Sequence, residues 1–134
     1  MKLEDQVTSL ELSKKLKELG VKQESMFSWV LDRHDGETYV VDFNDACGLC
    51  SRSYNGSREN AISAFTVAEL GEMLPARKTD KESGYFESNK DLSGMWRVYW
   101  TDTTTGEWKV DFNEFSEANA RAKMLVHLLE NKLI

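Results

Sequence analysis

Large apolar residues alternate with polar ones at a period of two through residues 95–115, MWRVYWTDTTTGEWKVDFNEF. On an extended chain Trp96, Val98 and Trp100 share one face, and Trp108, Val110 and Phe112 share one face of the segment after Gly106, the signature of half-buried strands. Residues 102–107, rich in Thr and containing Gly, suit a hairpin loop because their small polar side chains can satisfy nearby backbone groups. The same pattern appears in residues 26–43: Phe27, Trp29 and Leu31 alternate, Asp35-Gly36 marks a turn, and Tyr39, Val41 and Phe43 alternate on the return. Two β-hairpins are predicted.

Elsewhere the apolar spacing is helical. In residues 9–19 Leu12, Leu16 and Leu19 line one face, opposite Lys14, Lys15, Lys17 and Glu18. Thr8 is placed as the N-cap, Glu11 closes a capping box, Val7 can staple against Leu12, and Gly20 suits a left-handed C-cap. Residues 65–70, FTVAEL, repeat that start, with Thr66 as cap, Glu69 in the box and Phe65 against Leu70. Pro75 ends this helix after two turns. Ser116 caps a last helix whose stripe is Ala118, Ala122, Leu125 and Leu129, widened by Met124 and Leu128. Residues 44–60 and 76–94 are turn-rich and charged, so both are expected to be loops, with Tyr85-Phe86 anchoring a short strand in the second. The expected fold is a single α+β domain over residues 1–134. It has an antiparallel sheet of two hairpins and three helices packed mainly on one face, in the order α-ββ-α-ββ-α. The repetition of VDFND as VDFNE, and of VTSLEL as FTVAEL, points either to a duplication or to reuse of common local parts.

A chain of 134 residues with 40% hydrophobic content can bury a core without metal or disulfide staples. The net charge is -6, and splitting at residue 65 gives 8 basic against 11 acidic residues and then 9 against 12, or -3 in each half. With no basic half or tail, general nucleic-acid binding is disfavoured. The start, MKLEDQVTSLEL, lacks the apolar core of a signal peptide, and no apolar run is long enough for a membrane helix, so a soluble cytoplasmic protein is expected.

Cys47-Gly48-Leu49-Cys50 has the spacing to clamp a metal or to cycle between thiol and disulfide. No second such pair exists, the nearest further ligands are Asp45 and His34, and a polar loop is the wrong setting for a thioredoxin-like motif, so two reduced loop cysteines are expected. Glu69 and Glu72 lie one helical turn apart, but Glu69 already serves the cap; His34 and His127 belong to no ligand or nucleophile motif. No catalytic residue, metal or cofactor is assigned. If helices cover the tryptophan side of the hairpin, its far side presents Arg97, Tyr99, Thr101, Lys109, Asp111 and Asn113. Arg97, Tyr99, Lys109 and Asp111 are the candidate partner-binding residues, since Arg and Tyr on a rigid strand offer area and hydrogen bonds at low entropic cost. The alternative is a solvated face held by cross-strand pairs such as Arg97 with Asp111.

The segments SLELSKKLKELGVKQESMFSWV, SAFTVAELGEMLP and EANARAKMLVHLLENKLI resemble those of small hypothetical proteins encoded by phages and prophages. That resemblance implies a bacterial cytoplasm during infection or lysogeny and carries over no catalytic or binding residue. Three functions follow as expectations. The first is a small acidic, non-catalytic module that binds a protein partner, a homodimer across the exposed sheet face being one arrangement. The second is local nucleic-acid binding, since LELSKKLKELGVKQES resembles the first part of a helix-turn-helix, although MFSWVLD continues as a strand. The third is an enzyme with a site between loops 44–60 and 76–94.

Overall fold

The computed structural model describes residues 2–31, 36–42, 62–75 and 84–134. The chain divides into two compact units, Met1–Thr66 and Val67–Ile134, and each is built on its own three-stranded antiparallel sheet. The α+β class and both hairpins stand, with three α-helices among the described residues. One sheet carrying both hairpins was the expectation; instead each hairpin recruits a third strand of its own.

In the first unit a short 3-10 turn (Leu3–Asp5) leads into helix α1 (Leu10–Glu18), then β1 (Phe27–Leu31), β2 (Thr38–Asp42) and β3 (Ile62–Ser63), in the sheet order β2-β1-β3. Helix α1 ends in a Schellman motif: Gly20 N–H donates to Lys17 O at 3.0 Å, Val21 N–H donates to Leu16 O at 3.0 Å, and Gly20 has φ +86°. Its N-cap is Ser9 rather than Thr8, with Leu12 N–H donating to Ser9 Oγ at 3.4 Å. Thr8 is held elsewhere. Its N–H donates to Phe65 O and its Oγ1 accepts from Phe65 N–H, both at 2.9 Å, beside an antiparallel bridge between Val7 and Thr66. Trp29 Nε1–H donates to Thr8 O at 2.9 Å, and Ser13 Oγ lies 2.7 Å from Thr8 Oγ1. These groups are buried, and each buried donor has an acceptor, as an interior of low dielectric requires.

The small core here is Val7, Trp29, Val40 and Ala64, with Leu3, Leu10, Phe27 and Ile62 against it. Trp29 faces Val40 across the β1–β2 ladder, so the buried residue of β2 is Val40 and not the Tyr39 and Val41 expected from alternation. As the sequence indicated, the residues after α1 continue as a strand, so no recognition helix follows there.

The second unit runs α2 (Val67–Met73), β4 (Gly84–Lys90), β5 (Trp96–Asp102), β6 (Trp108–Glu114) and α3 (Glu117–Glu130), with sheet order β4-β5-β6. Helix α2 begins directly after Thr66 and stops before Pro75. Strand β4 includes the short strand expected at Tyr85-Phe86 and extends through Lys90 into residues expected to be loop. GYFESNK lacks aliphatics, yet an edge strand needs only one anchored face, and Phe86 supplies it by packing edge-on against Trp100, centroids 4.7 Å apart. Gly84 is required by the same packing: a Cβ there would lie 2.5 Å from Trp100 Cε2 and 2.6 Å from Thr101 O.

Ser116 caps α3 as expected, accepting from Asn119 N–H at 3.2 Å, and Ala118, Ala122, Met124, Leu125 and Leu128 are buried. The helix lies against β5 and β6, and α2 lies against α3. Ring contact between Phe112 and His127, and hydrogen bonds from Ser88 to Glu117 and from Arg121 to Ser88, place α3 on the face of Val98, whose ladder partners are Ser88 and Phe112.

The sheets also answer the duplication question. In the first, the strand beside the hairpin follows it in sequence; in the second it precedes it. That difference in connectivity counts against a duplication of one helix-hairpin unit.

Candidate interaction surface

The side of β4-β5-β6 that faces away from α3 is organised by one irregularity. Trp100 pairs with Val110, but Thr101 pairs with Trp108, so Lys109 is an extra residue of β6 between two successive ladder pairs. This β-bulge reverses the parity of the strand beyond it. The expectation that Trp108 shares a face with Val110 and Phe112 is thereby corrected: Trp108 stands opposite Thr101, on the side of Arg97 and Tyr99. Its ring centroid lies 4.8 Å from that of Tyr99, tilted by 33°, and the Arg97 guanidinium carbon is 4.8 Å from the ring centre. Trp108 is 54% exposed while Tyr99 beneath it is 5% exposed, so the indole acts as a cover over the phenol.

Of the four candidate residues, Arg97, Tyr99 and Asp111 are brought together on this face. Arg97 forms an ion pair with Asp111, as the cross-strand reading anticipated, and this pairing raises the Arg97 pKa. Tyr99 OH accepts from Asn89 Nδ2 at 3.0 Å; burial, and then the charge of Glu87, push its phenol pKa up. Thr101 Oγ1 donates to Glu87 Oε2 at 3.1 Å. Lys109 leaves the group, its Nζ reaching Asp102 at 2.9 Å at the head of the hairpin loop. Asp102 Oδ1 also accepts from Thr104 N–H at 2.8 Å and Thr105 N–H at 3.3 Å. Led by the Lys109 contact, these donors hold the Asp102 carboxyl down at about 2.

Two residues of the surface were missed by the sequence reading. Trp108 was assigned to the core, and nothing short of recognising the bulge in GEWKV reverses that. Tyr85, 43% exposed, sits opposite Thr101 on β4, so Tyr85 and Trp108 flank Thr101 from its two sides. The signal for Tyr85 was present as a Tyr-Phe pair in a polar stretch, one ring for each face of an edge strand.

On the α3 side a small pocket of about 80 Å³ is lined by Leu74, Phe86, Glu87, Ser88, Val98 and Arg121. It is well below the several hundred Å³ usual for a ligand site. Its cation is committed internally, Arg121 Nη2 donating to Glu117 Oε1 at 2.7 Å and to Ser88 Oγ at 3.0 Å. Among the described residues no three His, Cys, Asp or Glu side chains gather as a metal site. Cys47, Cys50, His34 and Asp45, loop 44–60 and residues 76–83 lie outside the described residues. No described helix is long and apolar enough to cross a membrane. Compared with protein-family models, curated proteins and solved structures, the chain matches none.

Proposed function

We propose that the chain is a small acidic, non-catalytic module of phage or prophage origin that acts in a bacterial cytoplasm by binding a protein partner. The outer face of β4-β5-β6 is the contact surface, with Trp108 as its anchor. What supports this reading is the state of Trp108: a half-exposed indole packed against the Tyr99 ring and the neighbouring guanidinium of Arg97. A large side chain already fixed in place loses little rotamer freedom on binding, and Trp, Tyr and Arg are the residues that dominate interface energies. The Arg97–Asp111 pair is half-exposed and contributes orientation more than affinity.

The test compares pull-downs by the wild-type chain and by Trp108→Ala, with circular dichroism confirming an unchanged fold. A partner is expected with the wild type and lost with the variant, since removing an interface tryptophan typically costs about 2 kcal/mol or more. Identical captures by both proteins defeat the proposal, as does salt-sensitive retention on DNA that persists in the variant.

A further inference from the structure

We infer that the segment received by this face is a proline-rich chain in the polyproline II conformation, an inference that rests on the proposed function and specifies its ligand. Three features of the face carry it. The first is spacing. Tyr85 and Trp108 stand opposite the same residue, Thr101, on the two strands flanking β5. Their backbones are therefore two strand spacings apart, about 9.5 Å at ~4.8 Å each. A polyproline II helix repeats every three residues, about 9.3 Å at ~3.1 Å per residue. A segment crossing the strands thus advances one polyproline II turn between the strand positions of Tyr85 and Trp108, which matches prolines at i and i+3 to these two residues.

The second feature is hydrogen bonding. Most polar groups around the rings are already paired, Tyr99 with Asn89, Thr101 with Glu87 and Arg97 Nη2 with Asp111, while Arg97 Nε is a buried donor without a partner among the described residues. The Trp108 indole N–H and the Tyr85 hydroxyl have no hydrogen-bond partner among the described residues. Both are donors at the rim of an aromatic surface. A proline-rich backbone offers solvated carbonyl acceptors and no amide hydrogen, which matches them.

The third is charge. Arg97 set against Glu87 and Asp111 leaves one net negative charge on the face, which favours a basic residue beside the prolines. A lysine side chain in an aromatic cage is the competing occupant, but the cation position at Trp108 is filled from within by Arg97.

The probe is an oligoproline of about nine residues, three turns of the helix, flanked by arginines. A control peptide has the same length and charge with glycine and serine in place of proline. Binding to the full chain is followed by tryptophan fluorescence and by amide-resolved NMR. The expected result is saturable binding at least about tenfold tighter for the oligoproline than for the control. Trp108→Ala and Tyr85→Ala should each weaken it by about fivefold or more while leaving the thermal melt in place, and Trp108→Phe should retain part of it. Absence of saturable binding, equal affinity for the control, or undiminished binding by both alanine variants overturns the inference. If Trp108-dependent capture of a partner succeeds while the oligoproline fails, the partner reading stands and the proline-rich ligand falls; if both fail, both fall. A dimer in sedimentation that Trp108→Ala dissolves would make the occupant a second copy of this chain and also overturn the inference.

Discussion

Replacing Gly84 by alanine should destabilise the second unit, although the change adds only a methyl group and improves intrinsic backbone preference. The methyl would be placed against Trp100 Cζ2, 2.5 Å from Cε2 and 2.6 Å from Thr101 O. Non-bonded carbons sit at about 3.5–4.0 Å, so the indole must withdraw by roughly 1 Å or the head of β4 must leave the sheet. Neither is cheap. Trp100 is 1% exposed and packed edge-on by Phe86, and Thr101 O belongs to the β5 backbone. Overpacking of a well-filled core costs about 1–3 kcal/mol, and a rigid ring with a backbone oxygen belongs at the upper end. Alanine returns about 0.4–1 kcal/mol by restricting the unfolded chain. The net loss expected is about 2 kcal/mol, which at a urea slope of ~1–3 kcal/mol/M lowers the midpoint by roughly 1 M. Urea unfolding followed by tryptophan fluorescence measures it. Trp100→Phe removes the two indole atoms in the way, so the double variant should lose less than the sum of the single ones by about 0.5 kcal/mol or more. An unchanged or raised midpoint in Gly84→Ala would show that β4 does not pack as described.

Two further outcomes follow from the buried and charged hydrogen bonds. Thr8→Val keeps the shape but strips Phe65 N–H of its Oγ1 acceptor, and should cost about 1–3 kcal/mol in chemical unfolding; a neutral substitution would refute the hub. Asp102 has a folded carboxyl pKa of about 2 against an ordinary 3.8, so its ionised form is favoured by folding. Its contribution is complete above the ordinary value and is lost as pH falls through about 2; Asp102→Asn should flatten that part of the acid limb, and a carboxyl titrating near 4 by NMR would contradict the loop geometry.

Much of the architecture is legible in the chain because it is local. The Schellman end of α1 needs only Leu16, Gly20 and Val21; the cap of α3 needs Ser116 and Asn119; the halt of α2 needs Pro75. What the pattern misplaced depends on distant partners. Thr8 has the chemistry of an N-cap, but Phe65, 57 residues away, takes its hydroxyl, and Ser9 inherits the role. Strand β4 exists because Trp100 and its neighbours give Phe86 a surface, a fact absent from GYFESNK itself. The interaction face was half legible: alternation alone assigns Arg97, Tyr99 and Asp111 to one side, whereas the places of Trp108 and Lys109 follow from the bulge.

That single extra residue also governs how this surface can vary. Substitutions along β6 alter the chemistry presented at a position, but the side on which Trp108 emerges is set by whether Lys109 bulges out of the ladder or takes a place in it. Loss of Lys109 would remove the bulge and leave Trp108 next to Val110, still opposite Thr101 on the outer face, whereas pairing of Lys109 itself with Thr101 would turn the indole toward the helix. Among descendants of this chain, changes that abolish the bulge while keeping Lys109 should therefore abandon this surface, whereas deletion of Lys109 should keep it.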